Sequence, residues 1–156
     1  MDRRERVIDL KKEEEFIEEY VSLRNRYSEL LTTKLVNVAE TKEWLKDNQI
    51  EIRGLVQDDI FLGAVILYLN REGEIALFVK EPQQGIGTKL LKIVEQVAEE
   101  KRLSGVWAWV LFDNQKAQRA FRKNGYTEED QSARFHKKEN KPGVIFRKQI
   151  PQRDAR

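Results

Sequence analysis

The sequence predicts an α/β (α+β) fold with a mixed, mostly antiparallel central sheet and one parallel pair, flanked by about four helices. Three observations carry this. Residues 50–79 hold three apolar strand segments joined by short turns, the pattern of an antiparallel meander. Residues 74–112 run strand, amphipathic helix, strand, which makes a parallel pair with a crossover. Helical periodicity recurs at Lys11–Arg24, Thr41–Asn48, Thr88–Lys101 and Asn114–Asn124.

Taken in order, Glu5–Asp9 is a short strand. In Lys11–Arg24, Phe16, Ile17, Tyr20, Val21 and Arg24 recur at helical spacing, with acids on the opposite face. Ser28–Val38 reads equally as irregular chain or as a short helix. Thr41 can cap the helix Thr41–Asn48, whose buried side would be Trp44 and Leu45. The meander follows: Ile50–Gln57, a turn at Gln57-Asp58-Asp59, Ile60–Leu69, a turn at Asn70-Arg71-Glu72-Gly73, then Glu74–Val79. Pro82–Gly87 is a loop. In Thr88–Lys101, Leu90, Leu91, Val94, Val97 and Ala98 form one apolar stripe. Gly105 precedes the buried strand Val106–Phe112. The helix Asn114–Asn124 is stopped by Gly125. Tyr126 begins a late strand, Glu128–Lys141 is polar, and Val144–Ile150 is the last strand. Residues 1–150 are expected to form a single domain and 151–156 a tail.

The bulk numbers narrow the function. Of 156 residues, 36% are charged, yet the segments are periodic, which excludes disorder. A net charge of +2, with acids and bases interleaved, implies neither a nucleic-acid nor a membrane partner. There is no cysteine, so disulfides, thiolate metal sites and a cysteine nucleophile are excluded, and no metal site is expected. The charged N-terminus has no apolar core of a secretory signal. The longest apolar run, Ile60–Leu69, is ten residues, against about 20 for a spanning helix. The expectation is a cytoplasmic protein, with a homodimer as one possible state.

Gln84-Gly85-Ile86-Gly87-Thr88 sits between a buried strand and an amphipathic helix. Glycine lets a ligand approach the backbone, and the first N–H groups of a helix lack internal partners and carry positive partial charge. Such a turn can hold a pyrophosphate without basic side chains; it can also be a tight turn alone. About 27 residues after Gly87, Asp113-Asn114-Gln115-Lys116-Ala117 opens a second helix, which Lys123-Asn124-Gly125-Tyr126 closes.

The two segments, in this order, resemble the GNAT acetyltransferase superfamily. The first is similar to its (Gln/Arg)-x-x-Gly-x-(Gly/Ala) loop, the second to its Asn-x-x-Ala…Lys-x-Gly-(Phe/Tyr) segment. The resemblance is strong over the second half; the first half agrees in layout. It implies an acyl-CoA N-acyltransferase fold whose parallel pair splays apart, with acetyl-CoA as co-substrate between the strands. Leu77, Phe78 and Val79 would then offer backbone groups to the pantetheine arm. Gln84, Gly85, Ile86, Gly87 and Thr88 would hold the pyrophosphate. Asn114 would bond the pantetheine amide, or act as a plain helix cap. Ala117 belongs to the same motif, and Lys89 and Lys123 would meet phosphates or remain surface lysines.

Two departures bear on the chemistry. The first motif position falls on Pro82, which has no N–H. The tyrosine that often serves the family as acid falls on Phe121, which cannot donate a proton; a phenolic acid would come from Tyr20, Tyr27, Tyr68 or Tyr126. A CoA thiolate, from a thiol of pKa about 8.5, can leave unaided near neutral pH. Direct attack by an acceptor amine is the simplest reaction without cysteine, and the amine must first lose a proton. Glu74 is a candidate base, and His136, the only histidine, is another. Arg24, Asn25 and Tyr27 would line the acceptor side. Leu23-Arg24-Asn25, followed by a helix carrying Trp44, is similar to bacterial acetyltransferases of nucleotide-linked amino sugars. A protein or peptide amine is the alternative acceptor, favoured by an acidic groove, and a non-catalytic acetyl-CoA-binding module is a third reading.

Overall fold

The computed structural model describes residues 5–28, 34–81, 85–129, 134–135 and 142–152. Among these, the strands are β1 (Glu5–Asp9), β2 (Ile50–Gln57), β3 (Ile60–Tyr68), β4 (Glu74–Val79), β5 (Gly105–Leu111), β6 (Thr127–Glu128), β7 (Arg134–Phe135) and β8 (Pro142–Gln149). The helices are α1 (Ile17–Arg26), α2 (Val38–Trp44), α3 (Ile86–Glu100) and α4 (Gln115–Lys123). The sheet order is β1-β2-β3-β4-β5-β8-β6, with β7 also on β8. All pairs are antiparallel except β4–β5.

Local chemistry explains the boundaries. Asp58 and Asp59, both at positive φ (52° and 64°), close the β2–β3 hairpin as a two-residue turn. The first helix begins later than its apolar spacing suggests. Asp9 accepts from the N–H groups of Lys12 and Glu13 through its carbonyl, and from Lys11 through its side chain at 3.0 Å. That turn delays the helix to a 3-10 segment, Glu14–Phe16, and then α1. The cap of α2 is Asn37, not Thr41. Asn37 and Glu40 exchange side-chain bonds to each other's backbone N–H at 2.8 and 3.0 Å, a capping box. Thr41 lies inside the helix and bonds back to the Asn37 carbonyl.

The sheet has a different core on each face. Ile75 and Val79 of β4 and Val106, Ala108 and Val110 of β5 pack with α3 and with Phe121 of α4. Phe78 packs on the other face with Ile17, Tyr20 and Leu23 of α1, and Ala76 lies against the same cluster. Alternation along β4 therefore sends Ile75, Leu77 and Val79 to the α3 side and Ala76 and Phe78 to the α1 side. The α3 core continues past the β4–β5 junction, whereas the α1 core ends at β4.

Candidate active site

β4 and β5 touch at one register position, Glu74↔Trp107. Two glycines make that contact possible. Gly73 has φ 85°, and a Cβ on it would lie 2.5 Å from the Gly105 carbonyl oxygen. The Trp107 N–H donates to the Gly73 carbonyl at 3.1 Å. Beyond this apex the strands part.

Hydrogen-bond parity shows what the parting exposes. The Lys80 N–H donates to the Leu62 carbonyl at 2.9 Å, so Gly63↔Val79 is a pair whose members do not bond each other. Ile75, Leu77 and Val79 thus turn their N–H and C=O groups away from β3, toward β5. On β5, the Ile150 N–H donates to Ser104 and the Phe112 N–H to Pro142, at 2.9 and 3.0 Å. By the same parity Trp107, Trp109 and Leu111 turn their backbone groups away from β8, toward β4. Past the apex, Leu77 and Val79 face Trp109 and Leu111 across a gap with no ladder between them. The Tyr27 hydroxyl donates to the Val79 carbonyl. Phe78, expected beside them, does not join the row: its backbone groups point to Ala64 of β3 and its ring is buried, so it offers the gap nothing.

The gap is the inner part of a cleft of about 570 Å³. Its walls are β4 (Ile75, Ala76, Leu77, Val79), β5 (Ala108 to Leu111) and α4 (Asn114, Lys116, Ala117, Arg119, Ala120, Phe121). Arg26, Tyr27, Lys80 and Gly87 complete it. Gly85, at φ 73°, precedes α3 without a side-chain cap. The helix ladder starts with Lys89 N–H on the Gly85 carbonyl, so the N–H groups of Ile86, Gly87 and Thr88 have no intrahelical acceptor. Asn114 lines the cleft and also caps α4, accepting from the Ala117 N–H at 3.2 Å.

Other anticipated residues fall elsewhere. Lys89 pairs with Glu5 on the edge strand at 2.7 Å, and Lys123, the last residue of α4, is not on the cleft wall. Arg24 donates to the Lys34 carbonyl at 2.6 Å, and Asn25 exchanges two bonds with Val36, so both hold the 34–36 segment. Tyr27 alone of that trio reaches the cleft. Glu74 stands at the apex, on the α1 side, with Arg71 at 3.4 Å, and does not line the cleft. Pro82, Gln84 and His136 lie outside the described residues. Phe121 is on the wall, stacked with Phe146 at 5.7 Å and edge-on to Tyr126 at 5.0 Å. Of the four phenols, burial raises Tyr20, Tyr68 and Tyr126 above the ordinary range.

Sequence reasoning missed Arg26, Lys80, Trp109 and Arg119, and did not assign the lysine of the Asn114–Ala117 motif, Lys116. Lys116, Arg119 and Ala120 are spaced i, i+3, i+4, which could have shown a shared α4 face. It also missed Asn124, whose amide donates to Thr88 Oγ1 at 3.2 Å and to the Ala120 carbonyl at 2.7 Å, tying α4 to the first turn of α3.

An opened parallel pair with a glycine-led helix start at its mouth is the framework of an acyltransferase that works on a long thioester. Residues 13–126 match the model of the acetyltransferase (GNAT) family, and the chain belongs to that family: it is an acetyl-CoA-dependent N-acetyltransferase. Solved structures agree in fold. An acetyltransferase of Salmonella typhimurium, yncA, solved with acetyl-CoA, superposes with TM-score 0.78 at 13% identity, over 97% of each chain. An N-acetyltransferase of Staphylococcus aureus Mu50 gives 0.79 at 14% identity, over 94% of this chain and 99% of that one. A spermidine N-acetyltransferase of Vibrio cholerae, solved with CoA and spermine, gives 0.76 at 15% identity, over 94% and 96%. No curated protein sequence matches the chain significantly. No helix among the described residues is long and apolar enough to cross a membrane.

Proposed function

We propose that the chain moves the acetyl group of acetyl-CoA directly to the primary amine of a small molecule, within a ternary complex in the β4–β5 cleft. The observation that carries this is the pair of facing backbone rows, Leu77 and Val79 against Trp109 and Leu111. An extended arm bearing amides pairs with such rows as a strand would. Ile86, Gly87 and Thr88 would meet the pyrophosphate with their N–H groups. The apolar wall of Leu77, Ala108 and Phe121 suits the thioester end.

In the reaction, the amine nitrogen bonds to the thioester carbonyl carbon, the carbon–sulfur bond breaks, and CoA leaves as thiolate. The amine proton passes to a base. Glu74, on the same face of the sheet as Trp107 and Trp109, supplies one through a water. The acceptor enters on that α1 side, past Tyr27. A nucleotide-linked amino sugar is one acceptor of this kind. A basic peptide is disfavoured, because no carboxylate lines the cleft among the described residues.

Thermal unfolding with acetyl-CoA and initial rates of CoA release test the reading together. Acetyl-CoA should raise the melting temperature by linkage, and rates with both substrates varied should give intersecting lines. Parallel lines, or an acetylated enzyme by mass spectrometry, would count against direct transfer.

A further inference from the structure

The cleft carries four cations, Arg26, Lys80, Lys116 and Arg119, and no carboxylate among its described lining residues. They divide by face. Lys116 and Arg119 belong to α4, which packs on the α3 side through Phe121, the side of the α3 N-terminus. Lys80 continues the alternation that places Ala76 and Phe78 on the α1 side. Arg26 ends α1 itself and donates to the Lys80 carbonyl at 3.3 Å, so the two stand together. No described carboxylate pairs with either. The helix-start N–H groups that would meet the phosphates of CoA lie on the α3 side, which leaves Arg26 and Lys80 on the α1 side, the side proposed above for the acceptor.

We infer that the acceptor is an amine that also bears an anionic group, a phosphate or a carboxylate, and that Arg26 and Lys80 bind that group while the amine reaches the thioester. This rests on the ternary-complex reading above and names its acceptor class. A planar guanidinium bonds an oxyanion through two N–H groups, and the neighbouring ammonium adds charge. The same pair repels a polycation, so a polyamine is a poor acceptor even though its free amines are competent nucleophiles.

Matched acceptors decide the matter. One pair is a 2-amino sugar and its phosphate ester; the other is an amino acid and its decarboxylated amine; a triamine completes the set. Within at least one pair the anionic member should show a kcat/KM higher by about tenfold or more, the range of a charge-assisted bond. Which pair responds separates phosphate from carboxylate. Arg26→Gln with Lys80→Gln should erase that ratio by raising the acceptor KM, with the KM for acetyl-CoA changed less than about twofold; Arg26→Glu should reverse it. Both side chains are exposed, so the variants should fold, and their melting temperatures check this. Preference for the neutral member or the triamine overturns the proposal, as does a ratio that survives the double substitution. No turnover of any acceptor while acetyl-CoA still raises the melting temperature also overturns it and leaves the cofactor site standing. Loss of the acetyl-CoA shift as well overturns the cofactor reading.

Discussion

Gly87 shows how one residue can favour ligand over stability. A Cβ there would meet Val79 Cγ2 at 3.8 Å and Leu77 Cδ2 at 3.9 Å, ordinary contacts, and its φ is not positive. Gly87→Ala should therefore raise the melting temperature of the free protein, a gain of about 0.4–1 kcal/mol at a compatible site. The same methyl stands against the β4 wall, so the further rise on adding acetyl-CoA should shrink; an undiminished rise would remove Gly87 from the binding surface. Gly85 differs: nothing lies within 4 Å of its Cβ position, and its φ of 73° is what requires glycine. Both glycines were visible in the sequence as a spaced pair before a helix, but not the distinction between them. Arg26, Lys80, Lys116 and Arg119 were invisible for a plainer reason. In a chain with 29 basic residues, single cations scattered along the sequence look like solvated surface until a fold gathers them.

Between elements, α3, α4 and β8 meet at a polar knot. The Tyr126 hydroxyl donates to Glu95 of α3 at 2.9 Å, and Lys148 of β8 donates to the same carboxylate and to the Asn124 carbonyl, each at 3.1 Å. Burial, then the Glu95 charge, then that hydrogen bond, raise the Tyr126 phenol well above its ordinary pKa of 10.0. A raised folded-state value means the contribution is complete below the unfolded pKa, about 10, and is lost as pH climbs beyond it. Tyr126→Phe should cost about 1 kcal/mol at pH 7, and its melting temperature should fall less steeply than the parent's from pH 9 to 11. Equal slopes in circular-dichroism melts would show that Tyr126 does not titrate differently on folding. The elements themselves were largely legible. β1, β2 and β4 have the bounds expected from the sequence, the meander strands through their apolar segments and the turns at Asp58-Asp59 and Gly73. The start of α1 was misread because apolar spacing cannot report a turn held by Asp9, and the start of α2 because Thr41 drew attention from Asn37 and Glu40.

At the scale of the molecule, the opening of the sheet could not be read from residues 74–79 or 105–111 alone. It depends on Gly73 meeting Gly105 and on two hydrogen-bond registers, all contacts between distant parts of the chain. What the sequence did carry, through a family resemblance, was that such an opening exists. The architecture is two half-sheets, β1 to β4 and β5 with β8, joined by a single bridge. Amide exchange should therefore slow at Leu77, Val79, Trp109 and Leu111 when acetyl-CoA is added, with little change at Phe78 and Ala108; a uniform change would mean that no ladder is completed. A less obvious consequence concerns solubility. Strand edges with free N–H and C=O groups are templates for pairing with another chain, and proteins ordinarily bury or blunt them. Here two such edges lie inside the molecule, shielded from neighbours by their closeness to each other and by Tyr27 on the Val79 carbonyl. Partial melting would spread them apart before the half-sheets unravel, so starving the protein of its acyl donor should make it cloud on gentle heating, and the donor would serve as the protein's preservative.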